Sequence, residues 1–182
     1  MKNNNLKIVK VMDIKTKYDA LFVLNTAVNN NPNFDIDEEM QKLNSCIFET
    51  YVVYASATFY NANPKYYPIA IIGCKKVFAN ELFNTLELMY HPKRCDVIYS
   101  IEFIHSTDPS FINNSNYKQD IEYMINTVIN DKNDSAIAIN FKYINIYGFY
   151  FKKVLKDIGF EYCDIGGYMI KYPYLALTSQ SK

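Results

Sequence analysis

Between Asp96 and about Tyr172 two secondary-structure periods alternate, and this stretch constrains the fold more than any other. Asp96–His105 (DVIYSIEFIH) is dense in β-branched and aromatic residues and reads as a strand. Tyr117–Asn130 sets Ile121, Met124, Ile125, Val128 and Ile129 on one helical face. Ser135–Tyr143 reads as a second strand, and Tyr147–Ile158 as a second amphipathic helix that stops at Gly159. Glu161–Lys171 folds back on itself through Gly166-Gly167. A strand–helix–strand order needs a crossover, which predicts a parallel pair.

The preceding half reads differently. Leu6–Met12 alternates as a first strand. Asp13–Asn30 is free of Gly and Pro, with Tyr18, Leu21, Leu24 and Val28 near helical spacing, and ends in the breaker Asn29–Pro32. Asp35, three residues before Glu38, opens a short helix with Met40, Leu43 and Ile47 as its buried face. Thr50–Tyr60 and Tyr67–Val77 read as antiparallel strands across the turn at Asn61–Pro64. Glu81–Tyr90 fits either period and leans to a strand at its end, before the break at His91-Pro92. The expected fold class is α/β (α+β with a mixed sheet): a central sheet flanked by about four helices, in one domain over residues 1–182.

Composition excludes more than it assigns. The formal net charge is +0, which argues against a large nucleic-acid footprint. Lys75-Lys76 and Lys152-Lys153 read as solvated pairs. No apolar run approaches the roughly 20 residues that span a bilayer, and MKNNNLKIVKV has no signal-peptide core, so the expected location is cytoplasmic. The bias toward Asn, Ile, Lys and Tyr marks an AT-rich genome, a bacterial, phage or viral one, so a virion is the other expected location. Arg94 is the single arginine, so bidentate clamps on phosphate are almost lacking. Cys46, Cys74, Cys95 and Cys163 are scattered without ligand spacing and read as free thiols, so no metal site is expected.

The element order, with three segments of the second half, resembles the GNAT (Gcn5-related N-acetyltransferase) superfamily. Asp96–His105 followed by Asp108-Pro109-Ser110-Phe111 is similar to the family's fourth strand and its exit. The helix from about Tyr117 stands where the family's third helix stands. Leu155–Phe160 and Tyr168–Lys171 resemble the closing "Y-x-x-x-GF … yxMxK" signature. The resemblance implies an N-acyltransferase with acetyl-CoA between the strands Asp96–His105 and Ser135–Tyr143. The backbone at Phe103, Ile104 and His105 would hold the thioester, and a small amine or a protein amine would be the acceptor.

Two departures stand at the places the resemblance makes functional. The family's pyrophosphate loop carries an Arg or Gln and glycines, whose amides approach the phosphates. Here Asn113, Asn114, Ser115, Asn116 and Tyr117 occupy the loop. They read either as an Asn-rich phosphate cradle or as a plain helix cap. The family's proton-donating Tyr falls on Leu155. Tyr147 and Tyr150, earlier on the same helix, are the candidate substitutes, their alternative being aromatic core.

Glu102 is the candidate base. A carboxylate in mid-strand is partly desolvated, which favours proton uptake, whereas the bland reading is a charge paired with a Lys. Period two puts Glu102 and Ile104 on one face and His105 on the other, at the entry to a loop. The alternative to an enzyme is a GNAT-fold scaffold without acyl transfer, such as a virion-associated component. It would act through Tyr-rich surfaces at Tyr60–Pro68 and Lys171–Leu177, as a protein partner's site or a homo-oligomer contact.

Overall fold

The structure is a computed structural model that describes residues 6–31, 34–57, 65–78, 97–113, 115–130, 135–163 and 167–172. It is built on a mixed seven-stranded sheet in the order β1-β2-β3-β4-β5-β7-β6. The strands are β1 (Leu6–Lys10), β2 (Phe48–Ala57), β3 (Lys65–Phe78), β4 (Val97–Ser106), β5 (Ala136–Asn140), β6 (Glu161–Cys163) and β7 (Tyr168–Lys171). The helices are α1 (Ile14–Asn30), α2 (Ile36–Asn44), the single turn α3 (Ser110–Asn113), α4 (Lys118–Asn130) and α5 (Phe141–Asp157). The β4–β5 pair is parallel, as the crossover through α4 requires, and the other pairs are antiparallel.

Helices cover both faces. On the β1–β2 pair, Lys7, Val9 and Tyr54 face α1, whereas Leu6 and Ala55 face Phe111, Tyr117 and Asp120. Strand residues buried on both sides lose the clean alternation of a half-exposed sheet. Val52, Val53, Ile71, Ile72, Ile101 and Ile104 are all fully buried. Burying each such side chain contributes about 1.5–3 kcal/mol.

α1 begins at a reciprocal cap. Asp13 Oδ1 accepts from the Thr16 amide at 2.7 Å, and Thr16 Oγ1 accepts from the Asp13 amide at 3.2 Å. The Thr16 amide and the Thr16 hydroxyl, both donating to Oδ1, hold the Asp13 carboxyl below the usual carboxylate range. The buried face of α1 is Ala20, Val23, Leu24 and Ala27, one step round from the expected stripe, and Tyr18 is exposed. α2 keeps its Asp35 cap, which accepts from the Asp37 and Glu38 amides. It ends at Asn44, so Ile47 lies beyond it and is exposed, while Glu39 is buried instead.

α4 buries Ile121, Met124, Ile125 and Val128 as its period predicts. β5 is shorter than expected. It stops at Asn140, and residues 141–143 already belong to α5. α5 is broken at Gly148 (φ 76°, ψ −162°), so the expected start at Tyr147 falls on this break. The expected turn at Asn61–Pro64 and the segment Glu81–Tyr90 lie outside the described residues. Cys46 is an exposed and Cys74 a buried free thiol. Among the described residues no helix is long and apolar enough to cross a membrane.

Candidate active site

The site is set by where β4 leaves β5. The two strands pair only from Ile98 with Ala136 to Ile101 with Ile139. β5 then ends at Asn140, whereas β4 runs on to Ser106. Among the described residues, β4 has no strand partner on that side from Glu102 onward. A gap therefore opens in the sheet, bordered on one side by β4 beyond Ile101.

A bulge coincides with the opening. Across β3, Cys74 faces Ile101 and Gly73 faces Phe103, which leaves Glu102 as the extra residue of β4. A bulge bends its strand, increases the local twist and sets two consecutive side chains on one side. Glu102 Oε1 stands 3.5 Å from Lys75 Nζ, Lys75 Nζ lies over the Phe48 ring, and Phe48 packs on Phe103. Glu102 and Phe103 thus share a face. The period-two expectation that pairs Glu102 with Ile104 and opposes His105 is corrected, because the bulge resets the alternation.

His105 is not at a loop entry. It lies inside β4 and is fully buried. Its Nε2 is 2.9 Å from Glu39 Oε2 on α2, and Glu39 Oε1 accepts from Lys42 Nζ at 2.9 Å. Phe34 meets the imidazole edge-on at 4.5 Å between centroids, and Phe103 stacks on it at 5.9 Å. Burial pushes the Glu39 carboxyl up, but the hydrogen bonds and charges of His105 and Lys42 outweigh it and hold the group at about 2. The His105 side chain ties β4 to α2 beside the bulge.

Leu155, at the expected acid position, is fully buried in the core. Tyr150 follows the Gly148 break, 51% exposed with its ring 6.0 Å from Phe149, so the aromatic-core alternative does not hold for it. The side chain of Tyr147 lies outside the described residues. In the loop, Phe111 and Ile112 are buried and Phe111 packs on Tyr117 at 5.4 Å. Asp108 anchors the turn by accepting from the Ser110 amide at 2.8 Å. Asn116 and Tyr117 are exposed, Asn114 lies outside the described residues, and so do the side chains of Asn113 and Ser115. Lys118 opens α4 and pairs with Asp157 at the end of α5. Burial raises the Asp120 carboxyl, two residues further along α4.

Three residues at this site escape sequence reading. Glu39 and Gly73 matter only through what the sheet brings against them. Tyr168 belongs to the closing signature, but its role depends on the β5–β7 register, which sets it opposite Asn140.

No protein-family profile matches this sequence, and no curated protein sequence matches it. Solved structures do. Tetrahymena Gcn5 superposes with a TM-score of 0.51 at 11% identity, over 92% of this chain and 96% of that one. An aminoglycoside 6'-acetyltransferase type Ii gives 0.50 at 9% identity, over 91% and 96%. A GNAT-family acetyltransferase from Staphylococcus aureus Mu50 gives 0.50 at 12% identity, over 92% and 98%. Identities this low speak to the backbone alone: this chain has the fold of the GNAT superfamily of acetyltransferases.

Proposed function

We propose that the protein is an acyl-CoA-dependent N-acyltransferase. The observation that carries this is the coincidence of the parted β4 and β5 with a half-buried carboxylate, Glu102, at the first β4 position past the β4–β5 pairing. Acyl-CoA binds along the gap and supplies the activated acyl group. The residues fit it through backbone rather than through charge. Along β4 at Phe103, Ile104 and His105, alternation turns the Ile104 amide away from β3 toward the gap, and this strand edge is the proposed contact for the thioester carbonyl. The segment Asn113–Tyr117, before α4, is the candidate pyrophosphate contact in place of a glycine loop.

Glu102 takes the proton of the acceptor amine. Lys75 keeps it oriented, and Phe103 beside it excludes water from one side. The acceptor approaches from the face of the sheet that carries α1 and α2, where Glu102 stands. No protein nucleophile is needed, since the amine attacks directly. Tyr150, near the Gly148 break, and Tyr147 are the positions on α5 that the resemblance offers in place of the family's tyrosine. The acceptor class is a polyamine, another small amine, or a protein amine.

The test is transfer of labelled acetyl from acetyl-CoA to spermidine, an amino sugar and a lysine peptide. Glu102→Gln lowers kcat by about 10²–10⁴ while CoA still binds. An unchanged rate removes Glu102 from the role of base.

A second reading, a GNAT-fold binding module, is favoured by one observation. Ile14, Tyr18 and Phe22 form an exposed row at i, i+4, i+8 along α1, 56–75% accessible. Failure of the protein to bind CoA favours this reading over the enzyme.

A further inference from the structure

At the level where β4 and β5 part, three polar side chains form one row across the sheet. The β4–β5 register ends at Ile101 with Ile139, so Glu102 and Asn140 are the next residues on their strands. Asn140 is paired with Tyr168 on β7. All three project on the same face. Glu102 alternates from Ile98 and Ser100, Asn140 from Ala136 and Ala138, and Tyr168 from Ile170. Ile98, Ala136, Ala138 and Ile170 form one buried cluster against which Tyr168 packs.

The row spans two strand spacings, about 10 Å. The Tyr168 phenol bridges part of it, hydrogen-bonded to Asn140 and within the field of Glu102. Burial first, and the Glu102 charge second, raise the phenol and keep its proton on. The fully buried Ser100 Oγ, two residues before Glu102 on this face, has no hydrogen-bond partner among the described residues. The face is therefore polar at a place where the packing around it is apolar.

We propose that Tyr168 is the proton donor to the leaving thiolate, in place of the residue missing at Leu155, with Glu102 as its partner across the gap. This rests on the acyl-transfer reading above. As the C–N bond forms, Glu102 takes the amine proton. As the C–S bond breaks, Tyr168 gives its proton to sulfur. The phenolate recovers a proton from the Glu102 carboxylic acid along the row. Amine and thioester become amide and thiol, and both side chains return to their starting states.

The experiment uses the full chain labelled with 3-fluorotyrosine, the Tyr168 fluorine resonance being identified by its loss in Tyr168→Phe. Two readings are taken, neither of which needs the acceptor. In Glu102→Gln the titration midpoint of that resonance falls, because a removed negative charge no longer disfavours the phenolate. CoA shifts the resonance and desulfo-CoA, which lacks the thiol, shifts it less. An unchanged midpoint overturns the row. Calorimetric binding of CoA with no thiol-dependent change at Tyr168 overturns the donor role and leaves acyl transfer standing. Absence of CoA binding overturns acyl transfer and, with it, the donor role.

Discussion

The ring of Phe103 lies over Gly73 so closely that a Cβ on Gly73 would stand 2.0 Å from the ring's Cζ. Gly73 is the residue that faces the bulge, and its missing side chain is what lets Phe103 lie flat on β3. Phe103 is 1% exposed and cannot swing out to solvent. The position of Glu102 at the mouth of the gap thus depends on a hydrogen atom on the neighbouring strand.

Gly73→Ala forces Phe103 or the bulge to move. It is expected to destabilise the fold by about 1–3 kcal/mol, the usual range for an overpacked core. Urea denaturation measures this. Trimming the ring in Phe103→Leu, combined with Gly73→Ala, recovers part of the loss if the contact is the cause. Simple addition of the two single effects would mean that the ring and Gly73 are not coupled.

The Glu39–His105 pair is expected to matter for stability rather than chemistry. Glu39→Ala leaves a buried imidazole without this partner and is expected to cost about 3–5 kcal/mol. The pH dependence has a definite sign. The folded carboxyl is held at about 2, below its ordinary 4.5. Its stabilising contribution is therefore complete above pH 4.5 and is lost as pH falls toward 2. The difference in urea midpoint between the wild-type chain and Glu39→Gln should be largest near neutrality and shrink through that window. A difference that stays constant across it would show that the Glu39 charge contributes nothing.

Gly148 offers a backbone test with no packing in it. Its φ of 76° and ψ of −162° lie in a region that only glycine occupies readily, and nothing stands within 4 Å of an added Cβ. Gly148→Ala is expected to destabilise by about 1–3 kcal/mol through strain alone. Thermal unfolding reads the loss, and an unchanged Tm would mean that α5 runs on as one continuous helix.

The phosphate loop is tested by bulk. Ser115→Ile in the turn Ser115–Tyr117 should weaken CoA binding at least tenfold, if its amides face the pyrophosphate. Unchanged affinity would reduce the Asn-rich segment to a helix cap.

Periodicity is legible where one physical demand dominates. α4 has a single face to bury, so Ile121, Met124, Ile125 and Val128 announce it. β4 and β3 are buried on both sides, and their β-branched density announces them without revealing a face. The bulge is invisible to that signal, because one extra residue changes which side Glu102 and His105 occupy without changing composition. Glu39 reads as an ordinary helix-surface charge until α2 docks and His105 meets it. The row of Glu102, Asn140 and Tyr168 draws on three strands, and only the register of the sheet brings it together. In the sequence Gly148 reads as a helix position, since a lone glycine does not say whether it is tolerated or required.

Calorimetric titration of the purified chain with CoA and acetyl-CoA bears most directly on the account. Binding at micromolar affinity, retained in Glu102→Gln and weakened in Ser115→Ile, is the predicted result. No heat at millimolar ligand would contradict it: the gap between β4 and β5 would then be a feature of the fold without a thioester to hold.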